Sequence, residues 1–401
     1  MDKKVGLLIG SGVSCAVEYP GMSEITNSIR GFSGTPKSLK KYNDFVPGDD
    51  IDWDSKSGVL LIQDFLNHIC CLTQDFYYYQ SRTINYEDLY YILRQIEDSD
   101  SDEFENPVTE PFCNILLEYV ERRRNDLKKY KTRNIISRQD DKEFTTIVKK
   151  SLEYIKNTCI SALSKGCDGF DKLSLLNHLF EDNDVKTINV FTTNHDTLLE
   201  QLLQNLLLDY TDGFGKGVNN ARWYDPILLD NASAGIILVK LHGSVNWQYF
   251  PDVKRIGIVN NPDNRVKDDN GKIIDPGPGS PLFLIGTFNK MLGYSNGIYA
   301  DMFTHFNKEM RYANRLIISG YGFGDKGINT VLVNWFWQNE KNRAVVIHPK
   351  EDRLITNARA AISNNWQEWK ERGQIVTVEK GIENGSWEEV KSKLFDNGVE
   401  V

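Results

Sequence analysis

The sequence predicts an α/β protein, a Rossmann-like, mostly parallel sheet covered by helices, with a helical lobe inserted into it. Three observations carry that expectation. Short apolar runs of strand length alternate with helical patterns from residue 187 onward, a further apolar run stands alone at residues 5–9, and residues 58–180 between them show apolar side chains at helical spacing. Apolar strands joined by helices belong to parallel sheets that are covered on both faces.

Residues 5–9 (VGLLI) lead directly into GSGVS at 10–14, so a buried strand ends in a glycine turn and opens into a helix. That arrangement presents backbone N–H groups to a phosphate. The stretch EYPGMS at 18–23 punctuates the chain before a short helical stretch around 24–29. Residues 31–57 are rich in Gly, Ser, Pro, Asp and Lys and read as a long loop, either a lid or a plain surface connection.

In the inserted block, Val59, Ile62, Leu66 and Ile69 recur at helical spacing. So do Leu89, Leu93 and Ile96, behind a helix start at Asn85 and Asp88, and then Ile147, Leu152, Ile155 and Cys159. The charged segment 121–142 alternates signs and reads as a solvated helix face or loop. The aromatic residues Tyr77, Tyr78, Tyr79, Tyr86, Tyr90 and Tyr91 fit either an interface or packing within the lobe. These boundaries give a sheet domain of residues 1–57 and 181–401 and a helical lobe of 58–180.

Strand-like runs then follow at 187–192, 235–241, 255–259, 282–285, 315–319, 343–347 and 374–378, with helical patterns at 197–208, 301–314, 327–339, 353–370 and 387–395. Thr197 with Glu200, and Ser386 with Glu389, have the spacing of capping boxes. In such a sheet, ligands bind at the carboxyl ends of the strands.

Composition narrows the function classes. With 40% hydrophobic and 26% charged residues in 401, the chain reads as a soluble globular protein, and its net charge of -9 argues against a dominant nucleic-acid surface. The six cysteines, at 15, 70, 71, 113, 159 and 167, form no CxxC pair, so no structural zinc is expected. The apolar run at the start is far shorter than a signal peptide's core or a membrane span. A reduced, cytoplasmic protein is expected.

Four polar clusters stand at the carboxyl ends of apolar runs: GSGVS at 10–14, TTNHD at 192–196, LHGSVNW at 241–247 and SGYGFGDKGIN at 319–329. The first lacks the GK[ST] of a phosphate-binding P-loop and the full GxGxxG fingerprint. Asn194 and Asp196 either contact a ligand or cap a helix. His242 beside Gly243 is the best candidate for a general base, because imidazole titrates near neutrality and glycine permits close ligand approach. Asp325 and Asn329 sit within reach of ligand hydroxyls or a helix start. Four such loops on one sheet edge favour one shared site.

The ordered set GSGVS, TTNHD, KLHG and SGYGFGD resembles the sirtuin-like NAD-binding domain, in the divergent bacterial branch associated with antiphage defence, over most of residues 1–350. The resemblance implies that Gly10, Ser11, Gly12 and Ser14 hold the NAD phosphates and adjoining ribose. It places Asn194 near the nicotinamide ribose and its attacking water, and Asp196 near the carboxamide. His242 and Gly243 match the family's His-Gly pair, and the loop with Gly320, Gly322, Gly324 and Asp325 faces the adenosine half.

The chain departs from protein-deacylating sirtuins in having no four-cysteine zinc module after His242 and VEYPGMS where they carry a Pro-Asp-Phe-Arg-bearing loop. The resemblance therefore implies NAD hydrolysis to nicotinamide and ADP-ribose, with NAD as substrate, no metal, and Asn194 and His242 as the catalytic residues. A deacylase and a non-catalytic sensor of NAD or of an ADP-ribose-derived signal are the alternatives. It further implies a homo-oligomer and, as a partner, a HerA-type hexameric ATPase. Neither a membrane nor direct nucleic-acid binding is expected.

Overall fold

In the computed structural model the described residues are 3–32, 56–79, 82–100, 107–128, 140–231, 235–286 and 289–395. Most of the expected loop at 31–57, and residues 129–139 of the charged segment, lie outside them. Two compact units form: Met1–Gly21 with Leu163–Leu284 and Phe288–Val401, and Met22–Ala162 with Ile285–Thr287. The helical unit thus takes in the helix Met22–Ile29. The helix Ser174–Phe180 belongs to the other unit, where it buries Leu175, Leu176, Leu179 and Phe180.

The sheet unit carries twelve strands among the described residues. These are β1 (Lys3–Ile9), β2 (Val185–Thr192), β3 (Tyr210–Thr211), β4 (Ala221–Trp223), β5 (Ile236–Lys240), β6 (Trp247–Phe250), β7 (Arg255–Val259), β8 (Val266–Lys267), β9 (Ile273–Ile274), β10 (Arg315–Ser319), β11 (Arg343–Ile347) and β12 (Ile375–Val378). Seven form one sheet in the order β12-β11-β10-β1-β2-β5-β3, and every pairing in it is parallel. The fold is the expected mostly parallel sheet flanked by helices.

The apolar run of β1 is explained by its central place. Leu7 pairs with Ile317 on one side and Val190 on the other, and Val5, Leu7, Leu8 and Ile9 are fully buried. Helix Gly297–Tyr312 covers the sheet with Met302, Phe306 and Met310, which share a core with Val239, Leu316, Ile318, Trp335 and Trp366. From β1 the chain lays β2, β5 and β3 to one side and β10, β11 and β12 to the other, so the strand order reverses between β1 and β10. Because all these strands are parallel, the loops after β10, β1, β2 and β5 emerge along the same carboxyl edge, at the switch point where such folds bind ligands.

Several expected elements took another form. Arg255–Val259 is a strand, but it pairs antiparallel with β4 and β6 in a separate three-stranded sheet. Residues 282–285 form no strand and contribute one bridge, Phe283 to Gly243. The pattern at 353–370 is three short helices, Glu351–Asn357, Ala360–Ser363 and Trp366–Glu371. The first break leaves Arg359 extended, its N–H donating to the carbonyl of Phe323 and its Nε to that of Gly324. Thr197 and Glu200 make no capping box. Leu198 N–H is capped by Asp196 instead, and Glu200 turns to Lys240. Ser386 does accept from Glu389 N–H, at 3.3 Å.

Among the described residues of the helical unit, four long helices follow Met22–Ile29: Lys56–Tyr79, Tyr86–Asp100, Thr109–Lys128 and Asp140–Leu163. Ile62, Leu66 and Ile69 are buried, as are Leu89, Leu93, Ile96, Ile147, Leu152, Ile155 and Cys159. The start at Asn85 is a reciprocal cap. Its side chain accepts from the N–H groups of Glu87 and Asp88, and its own N–H donates to Asp88 Oδ2. The aromatic run divides, with Tyr77 and Tyr86 buried and Tyr78 and Tyr79 exposed.

Two turns of the main sheet are joined backbone to backbone. Gly10 N–H donates to Ser319 O and Gly12 N–H to Gly320 O, both at 3.0 Å. A Cβ on Gly10 would lie 2.4 Å from Gly320 O, closer than any contact side chains tolerate. Gly320, at φ +66°, occupies the left-handed region that favours glycine. Gly10→Ala is therefore expected to destabilise the sheet unit by about 1–3 kcal/mol, as overpacking does. Gly322→Ala, where an added Cβ meets nothing within 4 Å, should stay within about 0.5 kcal/mol of wild type. Thermal unfolding of the two variants side by side checks this.

Candidate active site

The four loops bring the expected residues into two hydrogen-bonded clusters. In the first, Asn194 Nδ2 donates to Gly10 O at 3.1 Å and to Ser14 Oγ at 2.8 Å, and Ser14 Oγ donates to Asp196 Oδ2 at 2.8 Å. Asp196 Oδ1 accepts from Leu198 N–H. Asn194 Oδ1 is buried without a hydrogen-bond partner. The carbonyl of Asp196 accepts from the ammonium of Lys240, which also reaches Glu200 Oε1 at 2.9 Å. Burial raises the Asp196 carboxyl above its ordinary range, against the pull of Lys240, Ser14 and the Leu198 N–H.

Ser11 and Gly12 are exposed on this edge, whereas Ser14 is buried in the network. The N–H groups of Gly10, Gly12 and Val13 are engaged within the fold, so much of the glycine turn's bonding closes the junction with Gly320. Gly322 and Gly324 are exposed, with open space where a side chain would stand. Gly243, at φ +77°, turns the chain after His242, and a Cβ there would lie 2.4 Å from Leu282 O.

The second cluster centres on His242. Its Nε2 lies 2.7 Å from Tyr294 Oη and 3.2 Å from Asp325 Oδ2, while Tyr294 donates to the same Asp325 oxygen at 2.8 Å. Asp325 Oδ1 caps the helix Lys326–Gln338 through Ile328 N–H. Tyr321 donates to Asn329 Oδ1, and Asn329 Nδ2 donates to Phe323 O, fixing the glycine loop from within. Burial works to raise the Asp325 carboxyl. The hydrogen bond and charge of His242, the charge of Lys290 and the Ile328 N–H outweigh it and hold the group well below the usual carboxylate range.

This pair can do acid–base chemistry: a carboxylate against an imidazole fixes the ring's orientation and favours its protonated form. Sequence reasoning missed Tyr294 and Lys290, and it gave Lys240 no role although that residue opens the KLHG motif. Tyr294 comes from an irregular stretch with no periodic pattern, and a lysine at the end of an apolar strand does not by itself reveal the buried partners it will find.

One comparison covers the segment that carries three of the four loops. Residues 188–372 match the SIR2-like domain. This SIR2-like segment contains Asn194, Asp196, His242, Gly243 and the loop to Asp325, and the β1 turn at Gly10 precedes it. No curated protein matches the chain. Among solved structures, a mutant Sir2 homologue in complex with ADP-ribose aligns over 92% of this chain and 91% of its own, at 12% identity and a TM-score of 0.31. Among the described residues, no group of three or more His, Cys, Asp or Glu is arranged to hold a metal ion. No helix among them is long and apolar enough to cross a membrane.

The depressed Asp325 carboxyl makes a signed prediction. A group whose folded pKa lies below its unfolded value adds stability above the unfolded pKa and loses it as pH falls toward the folded one. Wild type should therefore lose stability progressively below about pH 4, the ordinary carboxylate value. Asp325→Asn should be less stable at neutral pH by about 1.5–3 kcal/mol, the worth of hydrogen bonds to a charged group. It should also show a flatter acid limb in a plot of thermal midpoint against pH.

Proposed function

We propose that this chain is an NAD glycohydrolase, which cleaves the nicotinamide–ribose bond and releases nicotinamide and ADP-ribose. The observation that carries the reading is the meeting of Asn194 and the His242–Asp325 pair on one sheet edge, within a segment that matches the SIR2-like domain. That match supports an NAD-related enzyme. The choice of water as acceptor follows from the departures in sequence from the deacylating sirtuins.

The chemistry asks little of the protein. The bond from C1′ to the pyridinium nitrogen breaks with its electron pair leaving on neutral nicotinamide, and positive charge develops on the ribose. Catalysis then consists of orienting the dinucleotide, stabilising that charge and delivering water. The buried Oδ1 of Asn194 has acceptor capacity for a water or a ribose hydroxyl. A C1′–O bond forms to the water, and its proton passes to His242, where the Asp325 carboxylate stabilises the resulting imidazolium. The exposed edge of Ser11, Gly12, Gly322 and Gly324 would hold the rest of the dinucleotide.

The resemblance of the four loops supports a wider reading, in which NAD depletion serves antiphage defence. Unrestrained NAD loss harms its own cell, so this reading includes a homo-oligomeric assembly and restraint or triggering by a HerA-type ATPase.

His242→Ala and Asn194→Ala should each lower nicotinamide release by about 10²–10⁴-fold, the usual worth of a positioned acid–base group, while unfolding as cooperatively as wild type. Purified protein incubated with NAD and no peptide, with products separated by chromatography, checks this alone and with the ATPase added. Wild-type rates in both variants would remove the reading. Saturable binding without turnover under every condition would replace the enzyme by a sensor.

A further inference from the structure

Tyr294 meets both members of the acid–base pair, yet the chemistry above gives it no role. Its hydroxyl donates to Asp325 Oδ2 at 2.8 Å and lies 2.7 Å from His242 Nε2, whereas the direct contact between His242 and Asp325 is longer, at 3.2 Å. The ring is buried and held on two sides. Phe303 of the helix Gly297–Tyr312 stacks on it at 4.3 Å with 9° between the planes. Gly327 of the helix Lys326–Gln338 comes so near that a Cβ there would lie 2.7 Å from the ring.

Counting protons in this triangle fixes the tautomer of His242. Burial works to raise the Asp325 carboxyl, but His242, Lys290 and the Ile328 N–H hold it well below the usual range, so at neutral pH it is ionised and offers only lone pairs. A hydroxyl has one proton, and Tyr294 gives it to Asp325. Its oxygen then accepts at the short contact with His242, so Nε2 carries a hydrogen and the neutral ring has its lone pair on Nδ1. The carboxylate is thereby shared, with the phenol at the shorter distance and the imidazole at the longer one.

We propose that Tyr294 is a positioning residue that acts through His242: its hydroxyl, set between Nε2 and Asp325, keeps the ring in the tautomer whose base is Nδ1 and draws off part of the carboxylate's pull, so that the ring remains a base near neutrality. A general base must be unprotonated at its working pH, and a buried carboxylate bonded to the imidazole alone would favour the cation. The consequence for cleavage rests on the NAD reading above, whereas the protonation of His242 does not.

Four other polar groups surround the pair. Lys290, on the helix Asn289–Gly293, acts on Asp325 through its charge, and Lys240 at the end of β5 acts on His195 in the same way. The His195 ring centroid is 6.0 Å from that of His242, and the Tyr321 hydroxyl bonds Asn329. All four stay the same in the variants compared, so a change in titration belongs to the triangle.

The test is a titration of histidine-labelled protein by ¹⁵N NMR without NAD, the His242 signal being the one that His242→Ala lacks. Wild type should show Nε2 protonated and Nδ1 bare in the neutral ring. Tyr294→Phe keeps the ring and its stack but removes the hydroxyl. Nε2–H then exchanges a neutral acceptor for an undivided bond to the carboxylate, and charge-assisted bonds are about twice as strong as neutral ones. The titration midpoint of His242 should rise by about 0.5–1.5 pH units, the worth of one hydrogen bond. Asp325→Asn should lower it, and if that variant fails to fold, Tyr294→Phe decides alone. The acid limb of kcat/KM for NAD should move up with the midpoint in Tyr294→Phe, with KM little changed. An unchanged or lowered midpoint in Tyr294→Phe, a midpoint that rises in both variants, or a neutral wild-type ring protonated at Nδ1 would overturn the inference. Failure of wild type to cleave NAD would overturn the glycohydrolase reading and leave the titration result standing.

Discussion

The site depends on the backbone contact between the turn after β1 and the turn after β10. A parallel sheet delivers loops to one edge, but it does not hold adjacent loops together, because hydrogen bonding between strands stops where the strands end. Here it continues past Ile9 and Ser319 through Gly10 and Gly12, which approach Gly320 more closely than side chains permit. This contact places the start of the chain against a loop more than three hundred residues later. It also presents the Gly10 carbonyl that Asn194 uses as a partner.

The remaining order comes from polar groups buried in that frame. Lys240 lies inside an otherwise apolar strand and is 3% exposed, which is tolerable because Glu200 pairs with its charge and the Asp196 carbonyl accepts a further bond. The same ammonium restrains the rise in the Asp196 carboxyl. Asp325 couples a helix cap to a histidine, so the orientation of His242 is tied to the position of the helix Lys326–Gln338. Such networks fix geometry more than they add net stability.

Much of the main sheet was legible in the sequence because its strands are buried on both faces and separated by helices, as at residues 187–192, 315–319 and 343–347. The four polar loops were legible because each interrupts an apolar run at its end. Between β3 and β9, β5 and β7 were legible as strands, but the antiparallel pairing of β7 and the short strands β3, β4, β6, β8 and β9 were not, and Tyr294 just beyond them went unseen. Thr197 and Glu200 had capping spacing, yet tertiary partners took precedence: Asp196 caps the helix and Lys240 claims Glu200. The single helical pattern at 353–370 failed for a similar reason, because Arg359 leaves the helix to bond the carbonyls of the glycine loop.

The rings of His195 and His242 illustrate how one environment treats the same side chain in opposite ways. Their rings are 6.0 Å apart, and two unit charges at that distance repel by about 3 kcal/mol at the effective dielectric typical of protein sites. Both rings therefore resist being charged together. Asp325 bonds to His242 and favours its cation, while His195 has aromatic and cationic neighbours and stays neutral. The Asp325 carboxylate thus gives His242 a partner of opposite charge, whereas burial and the charges of His242, Lys290 and Lys240 all act against a cation on His195. Two imidazoles can stand this close because a single carboxylate breaks the symmetry between them.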